Sequence, residues 1–194
     1  DMSGQSNVLV KAEGMGFKFA KGDARVQTIL TEVKRLESEG YEFEAAEASF
    51  EMLIRKQLGQ HQPVFNLIEY HSTLRFHGGE NGFETCEATV KLEVGAERVY
   101  TVAEGDGPVN ALDNALRKAL LPLFPALQDM SLADYKVRII DGGGGTAAKT
   151  RVLITSTDGN ATWSTVGVSF NIIDASWKAL VDGISYFLLK RVQA

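Results

Sequence analysis

The segment DGGGGTAAKT at residues 141–150 is the first place where residue types could do chemistry. Four consecutive glycines followed by Lys149 and Thr150 have the composition of a loop that cradles a phosphate. A loop of the G-x-x-x-x-G-K-[ST] type needs a glycine just before its lysine and a helix starting there. Ala148 stands before Lys149, and the following TRVLITS is β-branched, so no helix N-terminus is offered to a phosphate. Two readings remain: a hairpin loop using glycine for positive φ, or a loop closing over a small ligand. His61, His71 and His77 cluster around a strand-like region, and His71 and His77 would point to one side of an ideal strand. Without cysteines or carboxylates at ligand spacing they are read as surface histidines, not a metal site. Glu32, Glu37, Glu39 and Glu51 are assigned to solvated helix faces, and Trp163 and Trp177 to the core. No Ser-His-Asp or Cys-His arrangement can be assembled, so no catalytic centre is expected.

These residues must be held by an ordinary globular chain. It has 194 residues, 44% apolar and 23% charged, enough for one large or two small domains without disulfide or metal support. The single cysteine, Cys86, cannot close an intrachain bridge, which suits a reducing compartment and a cytoplasmic location. No apolar run approaches the ~20 residues needed to span a bilayer, so no membrane partner is expected. The start, DMSGQSN, is polar and lacks an initiator methionine, and is read as the beginning of a piece cut from a longer chain. A net charge of −5 argues against a nucleic-acid partner, for which Lys and Arg must neutralise phosphates.

Residues 1–60 read as three helices. SNVLVKAEGMG is one, with Ser6 or Asn7 as cap; ARVQTILTEVKRLESEG places Val26, Ile29, Leu30, Val33 and Leu36 on a stripe before Gly40. FEAAEASFEMLIRKQLG does the same with Ala46, Phe50, Leu53 and Ile54. Such a thin core is expected to pack against something outside this chain, and to be less stable than the β-rich remainder. From Pro63 the pattern turns to strands in VFNLIEYHSTLRF, TCEATVKLEV and ERVYTVAE, then to a helix in GPVNALDNALRKALLPLF, with Pro108 in its first turn. DYKVRIID, KTRVLITS and ATWSTVGV, then FNIIDASWKALVDGISYFLLKR, give three more strands and a helix.

Aligning the helix starts at an offset of 61 pairs Asn110 with Asn171 and Asp113 with Asp174, an Asn-x-x-Asp pattern read as capping chemistry. The expected fold is therefore α+β: a small helical linker subdomain at 1–60, then a duplicated βββα domain at 61–194, with repeats at about 63–130 and 131–194. Helix, three strands and helix is also the order of double-stranded-RNA-binding domains. Those need a basic helix, whereas Asp106 and Asp113 surround the helix start here.

GDGPVNALDNALRKAL, DYKVRI, GTAAKTRVLI and TVGVSFNIIDASWKALVD, in that order, resemble the regulatory (LeuA dimerisation) domain of the isopropylmalate and citramalate synthase family. SGQSN and LESEGYEFEAAEASFEMLIRK resemble its linker, and GYEFEAAEASFE and NIIDASW are closer to the citramalate side. The resemblance implies a homodimer that binds a branched-chain amino acid as end-product inhibitor. It implies isoleucine, with leucine, or a purely structural dimerisation role, as the alternatives. It also implies that catalysis belongs to a TIM-barrel domain outside these residues, an acyltransferase condensing acetyl-CoA with a 2-oxo acid. Divalent metal and acetyl-CoA would bind that barrel, and no cofactor is expected here. The implied effector site comprises Gly105, Gly107 and Pro108 at one turn, Leu132, Tyr135 and Ile139 on a strand, and Val168 and Phe170 at the corresponding turn of the second repeat. Phe170 stands where the family pattern has a polar residue such as Glu, beside the effector pocket.

Overall fold

The structure is a computed structural model that describes residues 2–20, 22–79, 82–140 and 144–193. Three helices come first: α1 (Met2–Gly14), α2 (Ala24–Ser38) and α3 (Glu47–Gln57). Because α1 begins at Met2, Ser6 and Asn7 are interior residues and not caps. Serine and asparagine favour a helix start only locally, and here the helix extends upstream of them. Helix α2 is capped by Asp23, whose carboxylate accepts the Arg25 N–H, and it buries Ile29, Leu30 and Val33. Its exit passes through Gly40 at φ +107°, and a Cβ there would lie 2.0 Å from the Ile140 side chain.

The rest is two successive βββα units. β1 (Asn66–His77), β2 (Phe83–Val94) and β3 (Glu97–Gly105) form one antiparallel meander, followed by α4 (Pro108–Leu120). After a short 3₁₀ turn at Pro125–Asp129, β4 (Ser131–Ile139), β5 (Thr150–Thr157) and β6 (Thr162–Ser169) form the second, followed by α5 (Ile172–Gln193). Residues 141–143, with the first two glycines of the run, lie outside the described residues. The run's remainder holds a 3₁₀ turn at Gly145–Ala147 and leads into strand β5, not a helix, so the phosphate-loop geometry is not made.

The duplication is real, but its register differs from the sequence alignment. The Thr101 hydroxyl donates to the Ala115 carbonyl, and the Thr165 hydroxyl donates to that of Ala179, 64 residues on in both partners. Helix starts Pro108 and Ile172 are also 64 apart. Each first strand carries a bulge, between Leu67 and Glu69 and between Leu132 and Asp134. An offset of 61 was attractive because three residues is nearly one helical turn, so apolar stripes superpose either way. The two asparagines therefore do different work. Asn171 caps α5 by accepting the Ile173 N–H, whereas Asn110 lies inside α4 and accepts the Asp106 N–H.

Helices α4 and α5 pack on the inner faces of their sheets and meet in one core containing Val90, Leu92, Leu112, Leu116, Ile154, Trp163, Leu180 and Ile184. A second cluster joins Ile29, Val33, Phe43, Phe50 and Ile54 of the helical segment to Val166 and Val168 of β6. The surface that the thin helical segment needs is thus in the chain itself. Strand β6 is a sheet edge, and α3 covers it: Glu47 accepts the Ser164 N–H and Ser49 accepts the Val166 N–H. The Ser49 hydroxyl in turn donates to Asp182 of α5, which also receives Lys56. Glu51, expected on a solvated face, is 4% exposed. It accepts from Arg55 one turn along and from Lys190 of α5, because that side of α3 faces α5 and a buried carboxylate must be paired.

Candidate functional site

The predicted effector residues fall into two groups on the structure. The first lies on β4. Tyr135, Val137 and Ile139 pair with Ile154, Val152 and Thr150, so all three side chains take the inner face, the side on which α5 packs. Leu132 is an odd number of residues from Tyr135 and would point the other way in a regular strand. The bulge before Asp134 restores it to the inner face, where it is half-buried against the main core. That bulge is the structural reason for the Leu-x-x-Tyr-x-x-x-Ile spacing.

Helix α5 leaves this face of β4 open. Tyr135 is 38% exposed, Val137 39% and Ile139 66%. Tyr135 is anchored at its polar end, with its hydroxyl 2.8 Å from Ser176 Oγ. Ser176 already donates to the Ile172 carbonyl, so Tyr135 is the donor in that bond. At the sheet's end the row Ile139–Thr150–Ser169 runs straight across the strands. Phe170 follows Ser169, is 66% exposed, and lies under the Lys149 ammonium at 5.1 Å. Ile139, Lys149 and Phe170 therefore gather at one end of the strip.

Val168 does not join them. It pairs with Arg151, which pairs with Arg138, and this row belongs to the outer face, where Val168 is buried among the α1–α3 residues. Neighbours two residues apart share a face and neighbours one apart do not, so Val168 and the Ile139 row are separated by the sheet itself.

The second group is the turn from β3 into α4. A Cβ on Gly105 would sit 2.3 Å from the Ala111 nitrogen and 2.6 Å from Asn110 Oδ1, so only glycine lets the strand end approach the helix. Gly107 is the N-cap in extended conformation and Pro108 is the first helical residue; no side chain caps the helix. The first turn of α4 thus keeps backbone N–H groups open toward an anion. No hydrogen bond or ion pair links this turn directly to β4 among the described residues. The link runs through α4: Arg117 donates to the Met130 carbonyl at the start of β4.

Two residues near β4 depart from the sequence reading: Asp113, expected as a capping residue at a helix start, instead lies inside α4 on its buried side, and Ser176 was not singled out. Asp113 is buried and held by Arg117, whose Nε lies 3.0 Å from both carboxylate oxygens. Burial pushes its carboxyl above the usual range, against the pull of Arg117. Arg117 Nη2 is buried without a partner among the described residues. The signal for the pair was Asp113 and Arg117 at i,i+4 beside Leu112 and Leu116, which puts both on the core side of the helix. Ser176 was the other; it lies in α5 beside Trp177. In the first repeat Tyr70 occupies the place of Tyr135 and stacks on Trp177 at 5.0 Å. His71 contacts the Thr89 hydroxyl and His77 stacks on Phe83, both on the outer face of the first sheet.

Two successive βββα units thus carry an open apolar strip on β4 and, separately, a helix α4 whose start has no side-chain cap. The sequence matches the LeuA allosteric (dimerisation) domain over residues 44–188, and the chain belongs to that family. It is 49% identical to the (R)-citramalate synthase of Synechocystis sp. over 190 residues, covering 97% of this chain and 35% of that protein. With the (R)-citramalate synthase of Geobacter sulfurreducens it shares 47% over 190 residues, 98% of this chain and 36% of the relative. With the 2-isopropylmalate synthase of Aquifex aeolicus it shares 28% over 190 residues, 97% and 33% respectively. The chain therefore spans about a third of the length of these relatives. No helix among the described residues is long and apolar enough to cross a membrane.

Proposed function

We propose that this chain is the feedback-regulatory and dimer-forming part of a citramalate synthase, an acyltransferase joining acetyl-CoA to pyruvate, and that it binds isoleucine as end-product inhibitor. The observation that carries the reading is the open inner face of β4, an apolar strip with one polar anchor, in a chain of the allosteric family. Isoleucine needs an apolar wall for its side chain and polar partners for its carboxylate and ammonium. Tyr135, Val137, Ile139 and Leu132 supply the wall, and Phe170 borders it. The open N–H groups behind Gly107 and Pro108 suit the carboxylate, and Gly105 holds that turn in place. The much higher identity to citramalate synthases than to the isopropylmalate enzyme favours isoleucine over leucine.

An open strip on one chain is half a site, and a second copy would complete it. Leu74 and Phe76 on β1, with Ile139 and Phe170 in the second repeat, leave large apolar side chains in solvent that homodimerisation would cover. Residues 1–60 serve as the linker that passes the effector's influence to the catalytic domain, and 61–194 as the effector-binding domain. The test is thermal unfolding with added isoleucine. At a hundredfold excess over its Kd, isoleucine should stabilise the protein by about 2.7 kcal/mol. Tyr135→Ala should fold, remain dimeric by sedimentation, and lose most of that response. An equal response in the variant would place the effector elsewhere.

A further inference from the structure

We infer that the outer face of β4 and β5 carries an anion site of phosphate type, formed by Arg138, Arg151 and Lys136 around a small cavity. Arg138 and Arg151 are directly opposed in the antiparallel register, and Lys136 is two residues along the same face. Like charges directly across a strand pair repel one another. Here two guanidiniums face each other on a chain whose net charge is −5. All three cations line a cavity of about 140 Å³, floored by Leu153 and Ala45 and bordered by Glu42.

The acids nearby leave one of the three cations without a counter-charge. Glu42 is committed to Arg151, which also donates to the Gly40 carbonyl. Asp134 is committed to Lys136 at 2.6 Å. Arg138 has neither hydrogen bond nor ion pair among the described residues. One guanidinium thus keeps its whole fork of donors, next to two further cations that each retain N–H groups. A tetrahedral oxyanion accepts from such forks two bonds at a time, and a carbonyl or water does so less well. The cavity exceeds a water's ~30 Å³ several-fold, which leaves room for a phosphate group. Its walls are fixed by the strand register and by Arg151, which ties the site to the α2–α3 connection through Gly40 and Glu42. A bound anion would therefore strengthen the attachment of the helical segment to the second sheet. The site lies on the face opposite the β4 strip, so it stands or falls independently of the effector reading.

The experiment titrates the chain with inorganic phosphate, and separately with adenosine monophosphate, at ionic strength held constant with sodium chloride. Binding is followed by calorimetry and by amide shifts of residues 136–138 and 151–153. Saturable binding that weakens as sodium chloride is raised supports the site. Binding of phosphate alone assigns it to the free ion, and binding of both assigns it to phosphate monoesters as well. Arg138→Gln, which removes a side chain that holds nothing else in place, should weaken binding tenfold or more, and Arg138→Lys should recover part of it. No saturable binding to the wild-type chain, or unchanged affinity in Arg138→Gln, would overturn the assignment.

Discussion

Replacing Glu51 by glutamine removes the charge at the centre of the contact between α3 and α5. The carboxylate is nearly inaccessible and receives four N–H donations, two from Arg55 at 2.7 and 2.9 Å and two from Lys190 at 2.7 and 3.0 Å. Taking one partner from a fully buried ion pair costs about 3–5 kcal/mol. Lys190, at 42% exposure, can turn into water, whereas Arg55 at 13% cannot do so freely. The expected loss is therefore about 2 kcal/mol, below the fully buried range because of that exposure. The loss should appear first as undocking of α1–α3 from β6, since the main core of the two βββα units does not use Glu51. Amide hydrogen exchange reports it directly. The Ser164 and Val166 N–H groups are held by Glu47 and Ser49 of α3 and lose their acceptors on undocking. At 1.36 kcal/mol per decade, their exchange should accelerate about thirtyfold, while amides inside the β4–β5 ladder change little. Uniform acceleration across the chain would show that the helical segment and the sheets open as one unit. No acceleration at Ser164 and Val166 would show that Glu51 does not hold the contact.

Three further outcomes rest on the packing. Gly105→Ala should cost about 1–3 kcal/mol by overpacking, whereas Gly107→Ala, whose added Cβ meets nothing within 4 Å, should change the melting temperature little; equal losses would contradict the close approach of β3 to α4. Leu116→Ala and Leu180→Ala remove fully buried side chains 64 residues apart, and chemical denaturation should give similar losses of about 2–5 kcal/mol each; a negligible loss at either would break the equivalence. Asp113 has a folded-state pKa above its unfolded value, so the folded protein holds its proton more tightly and this group's contribution falls as pH rises through the folded pKa. The stability of wild type relative to Asp113→Asn should accordingly be flat at pH values below the ordinary aspartate range and decline toward neutrality. A relative stability that rises with pH would reverse the sign and remove burial as the dominant cause.

Element types were legible because the hydrophobic period is local. Leu112, Leu116 and Leu120, or Ile154 beside Val152, announce their helix or strand without reference to any neighbour. Repeat register was harder. A shift of three residues preserves an amphipathic stripe, and only the paired hydrogen bonds of Thr101 and Thr165 separate 61 from 64. Glu51 was misread for a related reason: the residue type says charged, and its burial depends on Lys190, 139 positions away. On the candidate site, Tyr135 and Ile139 were legible from strand parity. Leu132 needed a bulge that no residue in Ser131–Ile139 advertises, and Val168 fell on the wrong face because Phe170, beyond the strand end, is not bound by its alternation. Asp113 was read as a cap because Asn110 three residues earlier matches the pattern of Asn171 and Asp174, whereas its i,i+4 pairing with Arg117 was the local signal for the buried side of α4.

The central claim is that the inner face of β4 recognises a branched-chain amino acid and prefers isoleucine. Calorimetric titration of the chain with isoleucine, leucine and valine tests it most directly. Isoleucine should bind tightest, by the roughly 1–3 kcal/mol that a shape-selective apolar pocket can supply. That preference should be lost in Tyr135→Ala while the dimer persists. Tighter binding of leucine would contradict the choice of effector, and absence of binding by all three, with the dimer intact, would contradict an effector role altogether.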